Sequence, residues 1–433
     1  MQAAEQEIDY LGMLNPAQRL AAEFGERTDG RGFESGPLLV IAGAGTGKTM
    51  TLAHRVAHLV IEGVDPERIL LLTFTRRAAE EMTRRVENIV RGSAPDSTVL
   101  PPGGLPWAGT FHSVANRLLR RFAHNLGLDP GFSVLDRGDA ADMLDVVRHE
   151  LKLTRTSRRF PKKDTCLAIY SRCVNAQQPL ADVLDQVFPW CADWAEELAA
   201  LVRGYVDRKQ QSQSLDYDDL LLYWMHLVAE PEFAEEIGSW FDHILVDEYQ
   251  DTNILQARVL NALKPDGSGL TVVGDDAQSI YSFRSAEVEN ILGFPDQFTP
   301  TARVVTLEQN YRSTQASLDA ANCLIAESER QYRKDLFSEG RDGARPHHVT
   351  VEDGDAEAEY VVSAILANRE LGMQLRDQAV LFRGSHHSDR LELELVRRNI
   401  PYVKYGGLKF LEAAHVKDLL SVLKWAENPR NEV

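Results

Sequence analysis

The chain has 433 residues, 44% hydrophobic and 26% charged, with 29 Gly, 18 Pro and a formal net charge of -18. These proportions exclude disordered, collagen-like and disulfide-stapled chains, and the length suits several domains of roughly 150 residues each. The negative charge opposes nonspecific adhesion to nucleic acid or anionic membrane, but a locally basic groove is compatible with it because the far field is screened beyond roughly 8 Å.

Cys166, Cys173, Cys191 and Cys323 form no CxxC pair. Reduced thiols in a cytosolic protein, with no metal site among them, are therefore expected. Residues 1–9 carry three acids and no base. No apolar run approaches the roughly 18 residues of a membrane span, so no membrane anchor is expected.

In chain order, Pro37–Ala42 is a short apolar run bounded by glycines and followed by a helical pattern from Lys48 to about Ile61. The same grammar of buried strand, loop and helix recurs at Ile69–Thr73 with Arg77–Val90, and at Ile244–Val246 with Ile254–Leu263. Leu270–Val273 adds another strand. Buried strands alternating with helices predict an α/β fold on a mostly parallel sheet.

The Pro/Gly-rich stretch Pro101–Pro106 precedes an almost wholly helical run from His112 to His226, which reads as a helical subdomain inserted into the sheet domain. A new α/β run begins near Val304 and includes Ala379–Arg383, a helix around Asp389–Arg398, and Tyr402–Tyr405. The expected division is residues 1–110 plus 215–300 for the first sheet domain and 111–214 for the insertion. Residues 301–433 form an incomplete second sheet domain running into the start of an accessory subdomain.

Ala42, Gly43, Ala44, Gly45, Thr46, Gly47, Lys48 and Thr49 lie between a buried strand and a helix start, where a phosphate loop belongs. Glycines turn backbone N–H groups onto phosphate oxygens, Lys48 reaches the β and γ phosphates, and the Thr49 hydroxyl suits magnesium. Ala42 departs from GxxxxGK[ST] and fits if its φ stays negative. The motif alone specifies NTP binding.

His243–Asp251 reads HILVDEYQD and places two acids just after a strand, at the carboxyl edge where parallel α/β folds bind ligands. Asp247 suits magnesium, Glu248 suits a general base polarising water, and Asp251 suits a helix cap. Val272–Arg284 reads VVGDDAQSIYSFR. Gln278 at a strand end can sense a γ-phosphate while an aromatic and Arg284 engage a nucleic-acid strand, so one loop would couple both ligands. Taken singly, Tyr281 and Phe283 suit core positions better than base stacking.

The order of motifs resembles the UvrD/PcrA/Rep family of superfamily I DNA helicases. It runs through Leu14–Gln18 (LNPAQ), the phosphate loop, Thr73–Met82, Gly109–Ser113 (GTFHS), Leu215–Leu220 (LDYDDL), the DEYQD and GDDAQSIYSFR segments, Asn310–Thr314 (NYRST) and Ile400–Gly407. The resemblance implies two RecA-like domains around ATP and Mg2+, a helical insertion in the first, and 3'-to-5' movement on single-stranded DNA in a bacterial-type cytoplasm. It further implies that Gln18 reads the adenine, Tyr311 stacks on it, Gln278 contacts the γ-phosphate and Arg312 is an arginine finger reaching across the cleft. Phe74, His112, Tyr281, Phe283 and Arg284 fall where the family touches single-stranded DNA. Implied partners are single-stranded DNA, single/double-strand junctions, and repair or replication proteins. Residues 152–163 carry six bases and no acid, which suits either a duplex contact or a solvated loop.

Departures from the family pattern are Met50 for an arginine, Phe283 for a tryptophan and Ser285 for a glycine. No TxHxxKGLE-like segment and no late second arginine finger are found, so the resemblance implies either a fragment or a protein that has lost that half. Two readings follow: a helicase/translocase, or a nucleotide-gated single-stranded DNA-binding module with weak or no unwinding. An unrelated phosphate-loop kinase or GTPase is the remote third.

Overall fold

The computed structural model describes residues 9–28, 32–93, 100–101, 103–155, 158–282, 285–340 and 342–405, and positions 416, 419 and 422. The chain divides into two compact units, Met1–Arg345 and Pro346–Val433. No helix among the described residues is long and apolar enough to cross a membrane.

In the first unit, α1 (Pro16–Glu23) precedes a short antiparallel ribbon of β1 (Glu26–Thr28) and β2 (Gly32–Glu34). The central sheet contains β3 (Leu38–Ala42), β4 (Ile69–Thr73), β5 (Trp107–Thr110), β8 (His243–Val246), β9 (Leu270–Gly274) and β10 (Arg303–Leu307). A second small pair is β6 (Ser133–Val134) with β7 (Ser214–Leu215). The six central strands run parallel in the order β10-β3-β9-β8-β4-β5.

Period-two alternation sorts each strand onto two cores. Leu38 and Val40 of β3, with Leu71 of β4, pack against Leu52 and Val56 of α2 (Lys48–Ile61) and Met82 and Val86 of α3 (Arg76–Ser93). Leu39, Ile41, Leu70 and Leu72 face the opposite core, with Leu118 of α4 (Phe111–Arg121), Trp224 of α9 (Tyr217–Ala229) and Leu260 of α11 (Ile254–Leu263). Each such side chain contributes about 1.5–3 kcal/mol relative to exposure, and covering both faces leaves only the strand ends for chemistry.

The insertion packs α5 (Arg137–Glu150), α6 (Lys163–Ala176), α7 (Leu180–Gln186) and α8 (Ala195–Gln211) around Leu144, Tyr170, Leu201 and Tyr205. One expected boundary of the insertion shifts. Helix α4, assigned from sequence to the insertion, belongs to the sheet domain, because Phe111, Val114 and Leu118 fill the core under β4. Chain exit and return are tied at β6 and β7, with Ser133 opposite Ser214. Of the basic run 152–163, positions 156 and 157 lie outside the described residues.

The LDYDDL segment lies at the root of the insertion. Asp216 caps α9 in a capping box with Asp219. The buried Lys209 Nζ donates to Asp216 Oδ2 at 2.7 Å, Asp219 Oδ2 at 2.6 Å and the Tyr170 hydroxyl at 3.0 Å. Asn175 of α6 donates to Asp218 Oδ1 and accepts from Asn253 Nδ2, the N-cap of α11. Charge and hydrogen bonds thus fix the insertion to the sheet domain, with the buried cation paired as burial requires. That cap is Asn253 rather than Asp251, which sits in the preceding turn.

After α10 (Pro231–Ser239) and α12 (Val288–Leu292), β10 joins the first sheet, pairing Val305 with Val40. It had been expected to open the second sheet domain. It does not, because Val305 and Leu307 complete the same core as Val40. Helix α13 (Gln315–Ile325) follows and the first unit closes at Arg345.

In the second unit, α14 (Gly354–Glu370) and α15 (Asp389–Arg397) pack through Val362 and Leu395 with Ile400. Glu392 accepts from Lys404 Nζ at 2.6 Å and from the Tyr402 hydroxyl at 3.2 Å. Strands were expected at Ala379–Arg383 and Tyr402–Tyr405, but no described residue of this unit is in a β-ladder, and Arg383 lies in a bend. Leu381 is 94% exposed and Tyr405 92%.

Candidate functional site

The phosphate loop joins β3 to α2, and its backbone needs its glycines. Gly45 has φ +82° and Gly47 φ +86°, left-handed values that a Cβ penalises. A Cβ on Gly45 would stand 2.7 Å from Arg312 Cβ, one on Gly47 2.6 Å from Gln18 Nε2, and one on Gly43 2.6 Å from Leu336 Cδ2. Ala42 is the last residue of β3, in register with Leu307, and is not among the positive-φ positions. Its Cβ is therefore accommodated where the motif has glycine.

Gln18 is held from both sides. Its backbone N–H and Oε1 form a capping box with Asn15, while Nε2 donates to the Thr46 carbonyl at 2.8 Å. Asn15 Nδ2 also donates to the Tyr311 hydroxyl at 3.0 Å, and Tyr311 N–H donates to the Gly45 carbonyl at 2.8 Å. The Asn310 amide donates to the Ala44 carbonyl at 2.5 Å and accepts from the N–H groups of Arg312 and Ser313. Gln18, Tyr311 and Arg312 thus converge on the phosphate loop. Arg312 reaches it from the β10–α13 connection within the first unit, not across a cleft from another domain, because β10 lies beside β3.

At the carboxyl end of β8, Lys48 Nζ donates to Glu248 Oε2 at 2.9 Å. Glu248 has φ +51°, a strained conformation of the kind concentrated at functional sites. Burial, and then the neighbouring Glu248 carboxylate, raise Asp247 to about 6. Two adjoining carboxylates, one reluctant to ionise, beside a glycine-rich loop at a helix N-terminus are suited to a divalent cation and a polyphosphate. Thr49 and Asp247 could hold the cation, and the Gly43–Thr49 cradle could hold the phosphates.

Gln250 bridges the two carboxyl-end loops. Its Nε2 donates to Glu248 Oε2 at 2.9 Å and its Oε1 accepts from Asp275 N–H at 3.0 Å. Asp275 Oδ2 accepts from Gln278 Nε2 at 2.6 Å. Phe74, 40% exposed after β4, lies with its ring centroid 5.4 Å from that of Tyr281 after β9, the planes inclined by 30°. This partly exposed aromatic pair offers a π-face at the same carboxyl edge of the sheet. His112 is half-buried in the first turn of α4, edge-on to Tyr217 at 5.7 Å, and burial pushes its imidazole down to about 4. A neutral, partly covered ring makes a poor phosphate ligand at neutral pH.

Phe283 and Arg284 lie outside the described residues. The loop's return is placed by Arg172 of α6, which donates to the Ser282 carbonyl at 2.8 Å. Ser285 has φ +64°, so serine occupies a left-handed position that suits the glycine usual there.

Sequence reasoning missed Asn15, Gln250 and Lys334. The Asn15-Pro16-Ala17-Gln18 spacing signalled the first as a helix cap. Gln250 sat inside a quoted motif without a role. Lys334 carried no local signal, because its partners Asp275 and Asp276 adjoin it only in the fold.

A six-stranded parallel sheet with a phosphate loop after β3 and acids after β8 defines a RecA-like P-loop NTPase domain. Residues 26–299 match the UvrD/REP helicase N-terminal domain and residues 305–433 the UvrD-like helicase C-terminal domain, and the chain belongs to the UvrD/REP helicase family. It is 36% identical over 402 residues to the ATP-dependent DNA helicase PcrA of Staphylococcus aureus, and equally to that of Staphylococcus epidermidis. Each alignment covers 92% of this chain and 53% of the relative, so the chain spans about half the length of these relatives.

Proposed function

We propose that the chain carries the ATP-hydrolysing and single-strand-facing part of an ATP-dependent DNA helicase that moves 3'-to-5' on single-stranded DNA, opens junctions and serves repair or replication. The observation that carries this reading is the unbroken hydrogen-bonded path from Lys48 through Glu248 and Gln250 to Asp275 and Gln278, a loop that continues to Tyr281. Residues 346–433 are read as part of a second RecA-like domain.

In this mechanism Gln18 and Tyr311 bracket the base, and the phosphate-loop amides with Lys48 take the phosphates. Magnesium, held by Thr49 and Asp247, would neutralise charge on the phosphate oxygens. Drawing Lys48 onto the γ-phosphate releases Glu248 to accept a proton from the attacking water. Gln278 and Arg312 would stabilise the developing charge. A strand stacked on Phe74 and Tyr281 biases the loop that carries Gln278, which links DNA to hydrolysis.

A second reading rests on its own observation. Residues 379–383 and 402–405 lie outside any β-ladder among the described residues, with Leu381 94% and Tyr405 92% exposed, which suits a nucleotide-gated binding module with weak unwinding. Unwinding of a 3'-tailed duplex by this chain separates the two: steady opening excludes the module, and strand binding that responds to nucleotide without opening supports it.

A further inference from the structure

A strap follows α13 and crosses three nucleotide-facing elements. Leu336 packs on Gly43 of the phosphate loop, where any Cβ would meet it at 2.6 Å. Phe337 is bridged to the exit of β10, its N–H donating to the Glu308 carbonyl at 3.1 Å and its carbonyl accepting from Asn310 N–H at 2.7 Å. Tyr332 and Lys334 grip the GDDAQ loop. Tyr332 N–H donates to Asp276 Oδ2 at 3.1 Å, and Lys334 Nζ donates to Asp276 Oδ1 at 2.6 Å and pairs with Asp275 Oδ1 at 2.8 Å. The Lys334 side chain is 2% exposed and the two carboxylates 4% and 3%.

A buried ammonium between two buried carboxylates is a fixed element, since either acid without the cation would lie against a like charge in low dielectric. Asp275 is also the group that holds Gln278, by the 2.6 Å bond from Nε2 to Oδ2. Its Oδ1 accepts from Ala277 N–H at 3.1 Å, so Lys334 fixes the carboxylate that sets both the turn and the glutamine.

We infer that Lys334 is a positioning residue for hydrolysis: through Asp275 it sets Gln278, and the 332–337 strap ties the phosphate loop to the strand-facing loop. This inference rests on the proposed ATPase reading for its effect on turnover, while the clamp itself is a property of the fold. Misplacing a reacting group by about 1 Å costs on the order of 10²-fold in rate. The geometry therefore sets the expected loss in DNA-stimulated kcat for Lys334→Met at roughly tenfold to a hundredfold, with KM for ATP little changed because Lys48 and the phosphate loop keep their own partners.

The test compares the full chain with its Lys334→Met and Lys334→Arg variants in two arms. Amide hydrogen exchange reads residues 274–282 against α2, and ATPase assays read kcat and KM with and without single-stranded oligonucleotide. The expected result is faster exchange at 274–282 in Lys334→Met with α2 unchanged, a kcat loss without a matching KM rise, and partial recovery of both by Lys334→Arg. Wild-type exchange at 274–282 in Lys334→Met overturns the clamp. Loosened exchange with unchanged stimulated kcat overturns the positioning role. Should Lys334→Met not fold, Lys334→Arg decides alone, and wild-type values in both its arms overturn the requirement for lysine geometry. A wild-type chain without DNA-stimulated turnover counts against the ATPase reading instead, and the exchange arm still decides the clamp.

Discussion

Lys48 Nζ and Glu248 Oε2 stand 2.9 Å apart, although 200 positions separate them in the chain. In the proposed mechanism this lysine and carboxylate hold each other until a γ-phosphate competes for the lysine. Glu248→Gln removes the base but keeps a hydrogen-bond acceptor for Lys48. Turnover should fall by about 10²–10⁴-fold with nucleotide affinity retained, as read by steady-state ATPase and binding of a fluorescent ATP analogue.

Asp247 is raised from 3.8 to about 6 by burial and the adjacent Glu248. Between those values the folded chain holds a proton that the unfolded chain has released, so this group's stabilisation is present below 3.8 and is lost as pH rises through 6. Cation binding needs the ionised form. Magnesium-dependent nucleotide affinity should weaken as pH falls below about 6, and Asp247→Asn should remove that dependence in titrations across the window.

His243 has the opposite sign. Burial is the main cause that lowers it from 6.5 to about 4, while its Nε2 lies 2.9 Å from the Phe33 carbonyl. Neutral in the fold and protonated when unfolded, it contributes stability above 6.5 that is lost as pH falls towards 4. Urea midpoints at successive pH values should fall less steeply across that window in His243→Gln than in the wild type.

Phe74 and Tyr281 face each other at 5.4 Å. Replacing either with alanine should weaken single-stranded DNA binding by about 1–3 kcal/mol in fluorescence anisotropy, with ATP-analogue affinity unchanged. Equal binding by Phe74→Ala would assign the pair to packing.

Lys209 is buried with Asp216 and Asp219. Lys209→Met leaves two carboxylates without their cation and should destabilise the chain by about 3–5 kcal/mol, measured by chemical denaturation. The effect is one of folding, so the native variant should still bind the ATP analogue.

The parallel sheet was legible because Leu38–Ala42 and Ile69–Thr73 are continuous apolar runs followed by helical periods, a pattern only doubly covered strands need. The phosphate loop and the acids after β8 were legible for the same reason: short motifs fix local backbone. Helix α4 and strand β10 were misplaced because their sequence shows what they bury and not against which partner. Phe111 fits a helical core as well as the sheet's underside, and Val305 fits an edge strand of either sheet. Ala379–Arg383 had strand composition, but a strand also needs a hydrogen-bonded neighbour. Gln250 and Lys334 act across loops that meet only after folding, so no spacing announced them.

In the proposed function, nucleotide turnover and strand binding are coupled through one connected site. The direct measurement is the ATPase rate of this chain with magnesium, with and without single-stranded oligonucleotide, beside Lys48→Ala and Arg312→Ala. The expected result is stimulation by DNA that both variants lose, with losses of about 10²-fold or more for Lys48 and roughly 10³-fold or more for Arg312. An ATPase rate indifferent to DNA, in a chain that binds both ligands, would contradict it.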